Sequence, residues 1–324
     1  MNRHPFVILV PLVVVVLVAA VAFGSVPLGV GELIDAIRSP DADAAPIVRT
    51  LRAPRVLLAF LVGGSLAVSG AALQALVRNP LADPYLLGLS GGAGLGAVVA
   101  IALALQWAWA IPAAAAVGSL AAVALVYRLS VVAGGRIDPR VLILAGVVVG
   151  SFASALMSAI MTLSGEAELR NAFLWLLGGF GGASWAALLL FAGYATLPLG
   201  VLVLSARTLD LLTLGEETAQ HLGADLERAK RIIYVTTSLL VAASVAVSGI
   251  IGFVGLVVPH AARRLWTPLH RPLLPVVFLL GGAFLVLADL LARTVVRPLE
   301  LPVGVVTALV GVPLFAVLLR RSMA

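Results

Sequence analysis

The sequence predicts an all-α membrane protein whose chain crosses the bilayer about ten times. Hydrophobic residues make up 62% of the 324 residues and charged residues only 11%, whereas a soluble domain is roughly one quarter charged. The mean hydropathy is +1.15. The apolar residues are gathered into runs of about 20, the length that a helix needs to cross the hydrocarbon core.

We place the spans at roughly 6–25, 54–77, 87–106, 110–130, 140–162, 186–205, 230–250, 253–267, 273–292 and 303–320. The eighth run is short and glycine-rich, so we expect it to be broken or re-entrant. The first run is long for a signal-peptide core, and although Ala20-Val21-Ala22 resembles a cleavage site, we expect a retained span. Residues 1–324 are expected to form a single transmembrane domain.

The orientation of the spans follows from the basic residues, because cytoplasmic loops collect Arg and Lys. An even number of spans places both termini on one side. With the termini inside, 14 of the 21 basic residues face the cytoplasm and 7 face outward. The outward group comprises Arg38, Arg49, Arg52, Arg55, Arg170, Arg293 and Arg297. We therefore predict that both termini are cytoplasmic.

A short internal match points to a repeat. Ala67-Val-Ser-Gly70 is followed ten residues later by Pro80, and Ala246-Val-Ser-Gly249 is followed ten residues later by Pro259. The matched segments fall in spans two and seven, which run in opposite directions in this topology. The match predicts an inverted repeat of spans 2–5 and 7–10, of the kind that transporters use.

Small residues and capping residues indicate how spans pack and begin. Asparagine or aspartate precedes proline at three span boundaries, which is typical of a helix start. Small residues recur every fourth position in two spans, where they allow helix backbones to approach closely. We interpret these stripes as packing surfaces; they comprise Gly88, Gly92 and Gly96 in one span and Gly146, Gly150, Ser154 and Ser158 in the other.

The longest polar interruption of the chain runs from Leu209 to Arg231. Thr213 precedes Glu216 by three residues, a pair that can satisfy free backbone N–H groups at a helix start. Gly223 can close that helix in the left-handed conformation, and Asp225 can cap the next one. We expect residues 206–229 to form a structured cytoplasmic loop that another molecule contacts, the alternative being a solvated connector.

Several kinds of chemistry are excluded by the residues. The only lysine, Lys230, follows Ala229, so a GxxxxGK[ST] phosphate-binding loop is impossible and any ATP must bind another chain. The chain has no cysteine, and its four histidines lack metal-ligand spacing. Its basic residues lie at the ends of apolar runs, which indicates topology rather than nucleic-acid binding. We predict neither an enzyme nor a metal or cofactor site.

Charges inside the predicted spans are few, which argues against a proton- or sodium-driven carrier. Asp289 is the clearest, and it stands four residues before Arg293 on the same helix face. We favour a local ion pair over a proton relay. The outward arginines around Pro54 and at the end of span nine either snorkel to lipid headgroups or receive an acidic partner, and these residues alone favour neither.

Five motifs in order resemble the FecCD family, the permease subunits of type II ABC importers for iron-siderophores, haem and vitamin B12. The resemblance covers residues 52 to 318 or so. The motifs are Arg52-Ala-Pro-Arg55, Gln74-Ala-Leu-Val-Arg-Asn-Pro-Leu-Ala-Asp-Pro84, Leu214-Gly-Glu-Glu-Thr-Ala-Gln-His-Leu-Gly223, Gly252-Phe-Val-Gly-Leu-Val-Val-Pro-His260 and Glu300-Leu-Pro-Val-Gly304.

The resemblance implies a homodimer in the bacterial inner membrane, with the translocation path along the dimer axis. Two ATPase subunits, which bind the ATP and magnesium, would contact the cytoplasmic face, and a periplasmic substrate-binding protein the outer face. It implies ATP-driven alternating access for an iron-siderophore or haem, with vitamin B12 as the alternative cargo. An ion-coupled secondary transporter is a separate and more remote alternative function.

The resemblance also implies roles for individual residues. The ATPase-coupling positions are Leu214, Gly215, Glu216, Glu217, Ala219 and Gly223, and those that dock the binding protein are Arg52, Arg55 and Arg293. The cytoplasmic gate would involve Asn79, Pro80, Asp83 and Asp138. Met157 and Met161 are candidates for the wall of the path, with packing as the favoured alternative. His260 is interpreted as a structural polar contact rather than a haem ligand.

Overall fold

The computed structural model describes residues 5–132, 136–215 and 225–323. This part of the chain contains thirteen α-helices. They are α1 Pro5–Ala22, α2 Val30–Arg38, α3 Ala53–Leu76, α4 Leu89–Ala102, α5 Ala110–Ser130, α6 Pro139–Leu163, α7 Glu166–Leu176, α8 Trp185–Leu204, α9 Ala206–Thr213, α10 Leu226–Ser248, α11 Val254–Leu265, α12 His270–Thr294 and α13 Val303–Met323. A π-helical turn, Pro46–Arg52, runs into α3, and a 3₁₀ turn, Pro84–Leu87, precedes α4.

Each of the ten predicted spans coincides with one of these helices, which confirms the predicted fold class. Seven helices in the described ranges are long and apolar enough to cross a membrane. α4 and the stretch Val303–Val317 of α13 are shorter apolar helices. α11 has 12 residues and rises only about 18 Å. The predicted break is not seen, because α11 is one continuous helix, and a re-entrant path stays a prediction.

The sequence analysis missed three short helices and one hairpin. α2, α7 and α9 lie between spans, and β1 (Val131–Val132) pairs with β2 (Arg136–Ile137) in an antiparallel hairpin between α5 and α6. These elements are too short to give a clear periodic signal, and the window used to find spans does not detect them.

The bundle has two ends, which we name after their most distinctive features. The hairpin face carries the β1–β2 hairpin, α9 and the first turns of α6 and α10. The arginine face carries Arg52, Arg55 and Arg293 together with the 23–45 segment and the end of α12. α3 runs from the arginine face to the hairpin face, and α10 and α12 run the opposite way.

α3 is the central helix of the bundle, and nearly all of its residues are buried. It packs against α8, α10, α11 and α12. Helix α1, by contrast, is mostly exposed and apolar, as expected of a helix that faces lipid. The core therefore lies around α3, while α1 covers one side of it.

Contact between α3 and α12 is reciprocal. Each helix contains the sequence Phe-Leu-X-Gly-Gly, at 60–64 in α3 and at 278–282 in α12. A methyl group on Gly63 would overlap the carbonyl oxygen of Gly281, and one on Gly281 would overlap that of Gly63. Phe60 and Phe278 meet edge to face with ring centroids 5.7 Å apart. This small-residue contact brings the two backbones together without a hydrophobic driving force from water.

The predicted small-residue stripes prove to have two different environments. Gly92 and Gly96 pack against the backbone of α5, and Gly146 packs against the 3₁₀ turn before α4, so the packing interpretation is confirmed there. Ser154 and Ser158 are exposed in this single chain. The packing interpretation is therefore wrong for the serine half of the α6 stripe within one subunit.

Helix packing agrees with the predicted inverted repeat, which itself stays a prediction. α3 packs against α11 and α12, and its counterpart α10 packs against α4 and α5. α4 and α11, counterparts in the repeat, each follow a residue with positive φ, Gly88 at 74° and Phe253 at 70°. The tetrapeptide match is not carried into local structure, because Gly70 lies inside α3 whereas Gly249 ends α10 at φ 66°.

Candidate functional site

The hairpin face contains a cleft of about 770 Å³ lined by two of the four predicted gate residues, Asn79 and Asp138. It lies between three segments, which are residues 77–79, residues 137–143 and the first turns of α10. Charged side chains predominate in its wall, and they are Arg78, Asp138, Arg140, Glu227 and Lys230. The fold therefore brings together two loops that are distant in sequence.

The predicted helix caps are confirmed for Asp83 and Asp138, whereas Asn79 caps a turn and not a helix. The Asn79 side chain accepts a hydrogen bond from the Leu81 N–H at 2.9 Å, and Asp138 accepts from the Arg140 N–H at 2.8 Å. Asp83 accepts from the Tyr85 N–H at 2.9 Å. Pro80 lies in the same loop and is exposed. A gating role for these four residues stays a prediction.

Asp83 lies in the loop between α3 and α4, where burial raises the pKa of its carboxyl group to about 6. The hydrogen bond from the Tyr85 N–H acts in the opposite direction and is too weak to cancel the cost of burying the charge. The Asp83 carboxyl group therefore changes its protonation state within a pH range that can be reached experimentally.

The predicted coupling segment lies only partly within the described residues. Leu214 is 60% exposed, and Gly215 has a φ of 102° and lies beside Arg78. Glu216, Glu217, Ala219 and Gly223 lie outside the described residues, so their predicted roles stay predictions. Asp225 accepts a hydrogen bond from the Arg228 N–H at 3.1 Å and caps α10, as predicted.

Thr213 does not begin a helix in the way the capping pattern suggested. It is the last residue of α9, and its hydroxyl group donates to the Asp210 carbonyl oxygen at 2.6 Å. The prediction overlooked α9, whose buried residues Leu209 and Leu212 already place a helix before Thr213. The hydroxyl group therefore closes the preceding helix.

α9 is fixed to α12 by a pair that the sequence analysis missed. The Asp210 carboxylate accepts a hydrogen bond from the His270 backbone N–H at 2.8 Å and lies 2.7 Å from the His270 Nδ1. His270 is the first residue of α12 and is buried. The 60 residues between the partners hide this contact from any local pattern.

The arginine face holds a buried ion network centred on Asp289. Asp289 contacts Arg293 at 3.0 Å and Arg55 at 2.9 Å, and Arg55 also contacts Glu300 at 2.9 Å. The side chains of Asp289 and Arg293 are 1% and 3% exposed. The predicted local pair is confirmed, and Arg55 from α3 extends it into a link between α3, α12 and the loop before α13.

Arg52 and Arg293 also bond main-chain oxygens near the end of α1. Arg52 donates to Val21, Ala22 and Val26, and Arg293 donates to Ala20 at 3.1 Å. Of the three arginines predicted to dock a binding protein, Arg55 is the most exposed, at 14%. Arg297, which is exposed and close enough to repel Arg52 electrostatically, was not among those three. Docking through these arginines stays a prediction.

A second cleft, of about 620 Å³, opens on the arginine face beside Arg55 and Glu300. Apart from Ser184 and Ser248, the rest of its wall is apolar and includes Trp109, Trp175 and Phe180. Glycines 178 and 249 approach each other closely at its floor, both with positive φ. Arg55 and Glu300, which belong to the network around Asp289, therefore form the polar edge of this aromatic cleft.

Met157 and Met161 of α6 are half-buried and pack against a cluster formed by Val98, Ile101 and Ala172. This is the packing alternative, and a role in the path stays untested. The exposed side of α6 instead presents Ser151, Ser154, Ser158 and Thr162 among apolar residues such as Phe152. Ser158 and Thr162 each donate to a carbonyl oxygen one turn earlier, so their hydroxyl groups are already satisfied.

Within residues 5–132, 136–215 and 225–323, no three His, Cys, Asp or Glu side chains are arranged to hold a metal ion. His260 lies half-buried on α11, flanked by the charges of Arg263 and Arg264. What the geometry offers is a pair of clefts at opposite ends of a helical bundle.

Comparison with known proteins identifies similar sequences along nearly the whole chain. The profile of the FecCD transport family matches residues 12–321. The cobalamin import system permease protein BtuC of Halobacterium salinarum is 44% identical over 277 residues, 86% of this chain and 74% of BtuC. The hemin transport system permease protein HmuU of Yersinia pestis is 42% identical over 278 residues, 84% of this chain and 82% of HmuU.

Among solved structures, one covers 97% of this chain and 97% of its own chain, with a TM-score of 0.85 and 32% sequence identity. It is an inward-facing conformation of a transporter assigned to the metal-chelate type of ABC transporter. The similarity thus extends to the arrangement of the helices as well as to the sequence.

Proposed function

Because this chain belongs to the FecCD transport family, we propose that it is the membrane permease of an ABC importer that carries an iron chelate, either an iron-siderophore or haem. The observation that carries the proposal is the match in sequence and structure over almost the entire chain. Vitamin B12 is the alternative cargo, since BtuC and HmuU are similar to this chain to nearly the same degree.

In this proposal the chain transports and a separate subunit hydrolyses ATP. Its single lysine is not part of a phosphate-binding loop, so nucleotide and magnesium would bind two ATPase subunits. Two copies of the chain would form the path between them. The exposed serine side of α6 would then have the second copy as its partner. Alternating access would follow when ATP closes the ATPase subunits.

The hairpin face is then the cytoplasmic face of the inner membrane. This orientation is supported by the excess of basic residues at that end. The arginine face would receive a periplasmic substrate-binding protein through charge complementarity, with Arg297 exposed and Arg55 partly exposed there.

An ion-coupled carrier is the second candidate, and the structure provides an argument against it. Such a carrier needs an intramembrane carboxylate that can take up and release a cation. Asp289 is the clearest intramembrane carboxylate in the sequence, and it is held between Arg55 and Arg293. Two arginines already occupy the positions that a transported cation would need.

The cargo is tested by uptake into proteoliposomes that contain the chain, its ATPase subunit and its binding protein. The probes are a ferric hydroxamate siderophore, haemin and cyanocobalamin, each with and without ATP inside. We expect ATP-dependent uptake of one of the two iron probes. ATP-dependent uptake of cyanocobalamin alone would favour the vitamin B12 alternative and contradict the iron assignment.

A further inference from the structure

The main chain of Ile137 is held by two side chains of α10. The Ile137 N–H donates to Glu227 Oε2 at 2.8 Å, and the Lys230 ammonium group donates to the Ile137 carbonyl oxygen at 3.1 Å. The same ammonium group donates to Glu227 Oε1 at 3.0 Å. The three hydrogen bonds close a ring. The Glu227 carboxylate and the Lys230 ammonium group bind the N–H and the carbonyl oxygen that Ile137 would otherwise offer to a neighbouring strand at the edge of the hairpin.

This ring is buried and charged, which makes it strong and costly to break. Lys230 and Ile137 are each 2% exposed, and the Glu227 side chain is 32% exposed. Hydrogen bonds with an ionised partner are roughly twice as strong as neutral ones. Removing one partner of a buried pair leaves a charge without its counterion, which is strongly unfavourable.

The ring joins the start of α10 to the start of α6. Ile137 is the last residue of β2 and is followed by Asp138, which caps α6. Further along α10, the Tyr234 hydroxyl group donates to the Val123 carbonyl oxygen of α5 at 2.9 Å. α10 is thus bonded to both flanks of the hairpin. Glu227 and Lys230 bond it to β2, and Tyr234 bonds it to α5, the helix that precedes β1.

We propose that Glu227 and Lys230 are positioning residues that make the start of α10, the hairpin and the start of α6 move as one body. The inference rests on the proposed function, in which the segment before α10 contacts the ATPase. A displacement of α10 would then be passed through the ring to Ile137 and on to the exposed side of α6. The cleft at the hairpin face would change shape with it, because Glu227, Lys230 and Ile137 all line that cleft.

An ion pair that only stabilises α10 would behave differently from a ring around a peptide unit. Exchanging the residues, Glu227→Lys with Lys230→Glu, keeps both charges on the same helix face. It also places a donor against the Ile137 N–H and an acceptor against the Ile137 carbonyl oxygen. The exchange therefore preserves an ion pair and removes both bonds to the hairpin.

The test uses spin labels at Arg140→Cys and Arg228→Cys, two exposed positions in a chain without other cysteines. Their separation is measured by pulsed electron resonance in the complex with the ATPase subunit and binding protein. The compared backgrounds are unsubstituted, Glu227→Ala, Lys230→Met, the exchanged pair, and Arg231→Met as an exposed control on the same helix. Uptake of the three probes named above per ATP hydrolysed is measured alongside.

We expect a narrow distance distribution in the unsubstituted and Arg231→Met backgrounds, and a broad one in the other three. Uptake per ATP should fall about tenfold where the distribution is broad, while the ATPase subunit still co-purifies. A narrow distribution in Lys230→Met, rescue by the exchanged pair, or unchanged uptake per ATP despite a broad distribution would overturn the inference. If the unsubstituted complex shows no ATP-dependent uptake, the proposed function fails, and the distances still decide whether the ring is rigid.

Discussion

At the scale of single residues, Asp289 is a candidate for ion coupling in the sequence and a member of a buried ion network in the structure. A carboxylate inside a predicted span is a candidate for ion coupling on sequence grounds. In the structure it accepts from one arginine on its own helix and from another on α3. The first contact could be predicted from the four-residue spacing, but the second joins residues 234 positions apart and has no local signal.

Asp289→Asn should destabilise the folded chain rather than abolish only transport. The substitution removes the negative charge that two largely buried arginines share, and breaking a buried pair costs about 3–5 kcal/mol. The midpoint of thermal unfolding in detergent should therefore fall clearly. Glu300→Gln is the control, because Glu300 is 38% exposed and its loss should cost much less. A stable but transport-inactive Asp289→Asn variant would instead support ion coupling.

Asp83 gives a prediction about pH. Its folded pKa of about 6 lies above the ordinary aspartate value of 3.8, so the folded chain holds the proton more tightly than the unfolded chain. The stabilising effect is complete below about pH 4 and is lost as pH rises through about 6. Asp83→Asn keeps an acceptor for the Tyr85 N–H and cannot ionise.

The difference in unfolding midpoint between Asp83→Asn and the unsubstituted chain should therefore grow from about pH 4 to about pH 6 and then level off. It is measured by thermal unfolding of the purified protein in detergent across that range. A difference that stays constant with pH would show that Asp83 does not titrate in the folded chain in this window.

At the scale of helices, apolar runs predict where each span lies but not what surrounds it. Seven of the ten predicted spans lie in helices long and apolar enough to cross a membrane, because about 20 apolar residues in a row is a strong signal. The neighbours of α3 could not be predicted, because the small residues that select them are spread over α11 and α12. The α6 stripe shows the same limit, since its glycines are packed and its serines exposed although the spacing is identical.

Gly63→Ala should weaken the contact between α3 and α12. The added methyl group would overlap the Gly281 carbonyl oxygen, and overpacking of this kind costs about 1–3 kcal/mol. Gly193→Ala in α8 is the matched control, because nothing lies within 4 Å of a methyl group there. Replacing glycine by alanine within a helix is otherwise favourable by about 1 kcal/mol.

Unfolding by sodium dodecyl sulfate should therefore begin at a lower detergent fraction for Gly63→Ala and at an equal or higher one for Gly193→Ala. Equal behaviour of the two variants would show that the α3–α12 contact adapts without cost, contrary to the close packing seen here.

The helices on either side of the polar segment between α9 and α10 are held in place by bonds to other elements. Its flanks are fixed, by Asp210 to α12 and by Glu227 and Lys230 to the hairpin. We expect Glu216→Ala with Glu217→Ala to reduce co-purification of the ATPase subunit or to uncouple ATP hydrolysis from uptake, because these carboxylates are the predicted contacts. Asp225→Asn, which keeps a cap on α10, is the control. Normal ATP-driven uptake by the double variant would remove those two residues from the interface.

At the scale of the whole molecule, the predicted inverted repeat and the two faces are the features that the proposed alternating-access path would use. α3 packs against α11 and α12, and its counterpart α10 packs against α4 and α5. Clefts open at opposite ends of the bundle. The repeat was predictable from a four-residue match, although that match does not adopt the same local structure twice. The cargo was not predictable, because the residues facing the clefts do not distinguish an iron chelate from cobalamin.

The central claim is that this chain transports only with ATP hydrolysed by another subunit, and reconstitution tests it most directly. Proteoliposomes are prepared with the chain alone and with the chain, its ATPase subunit and its binding protein, each under a proton or sodium gradient and with or without ATP. We expect uptake only in the complete complex with ATP, whatever the gradient. Uptake by the chain alone, driven by an ion gradient, would contradict it.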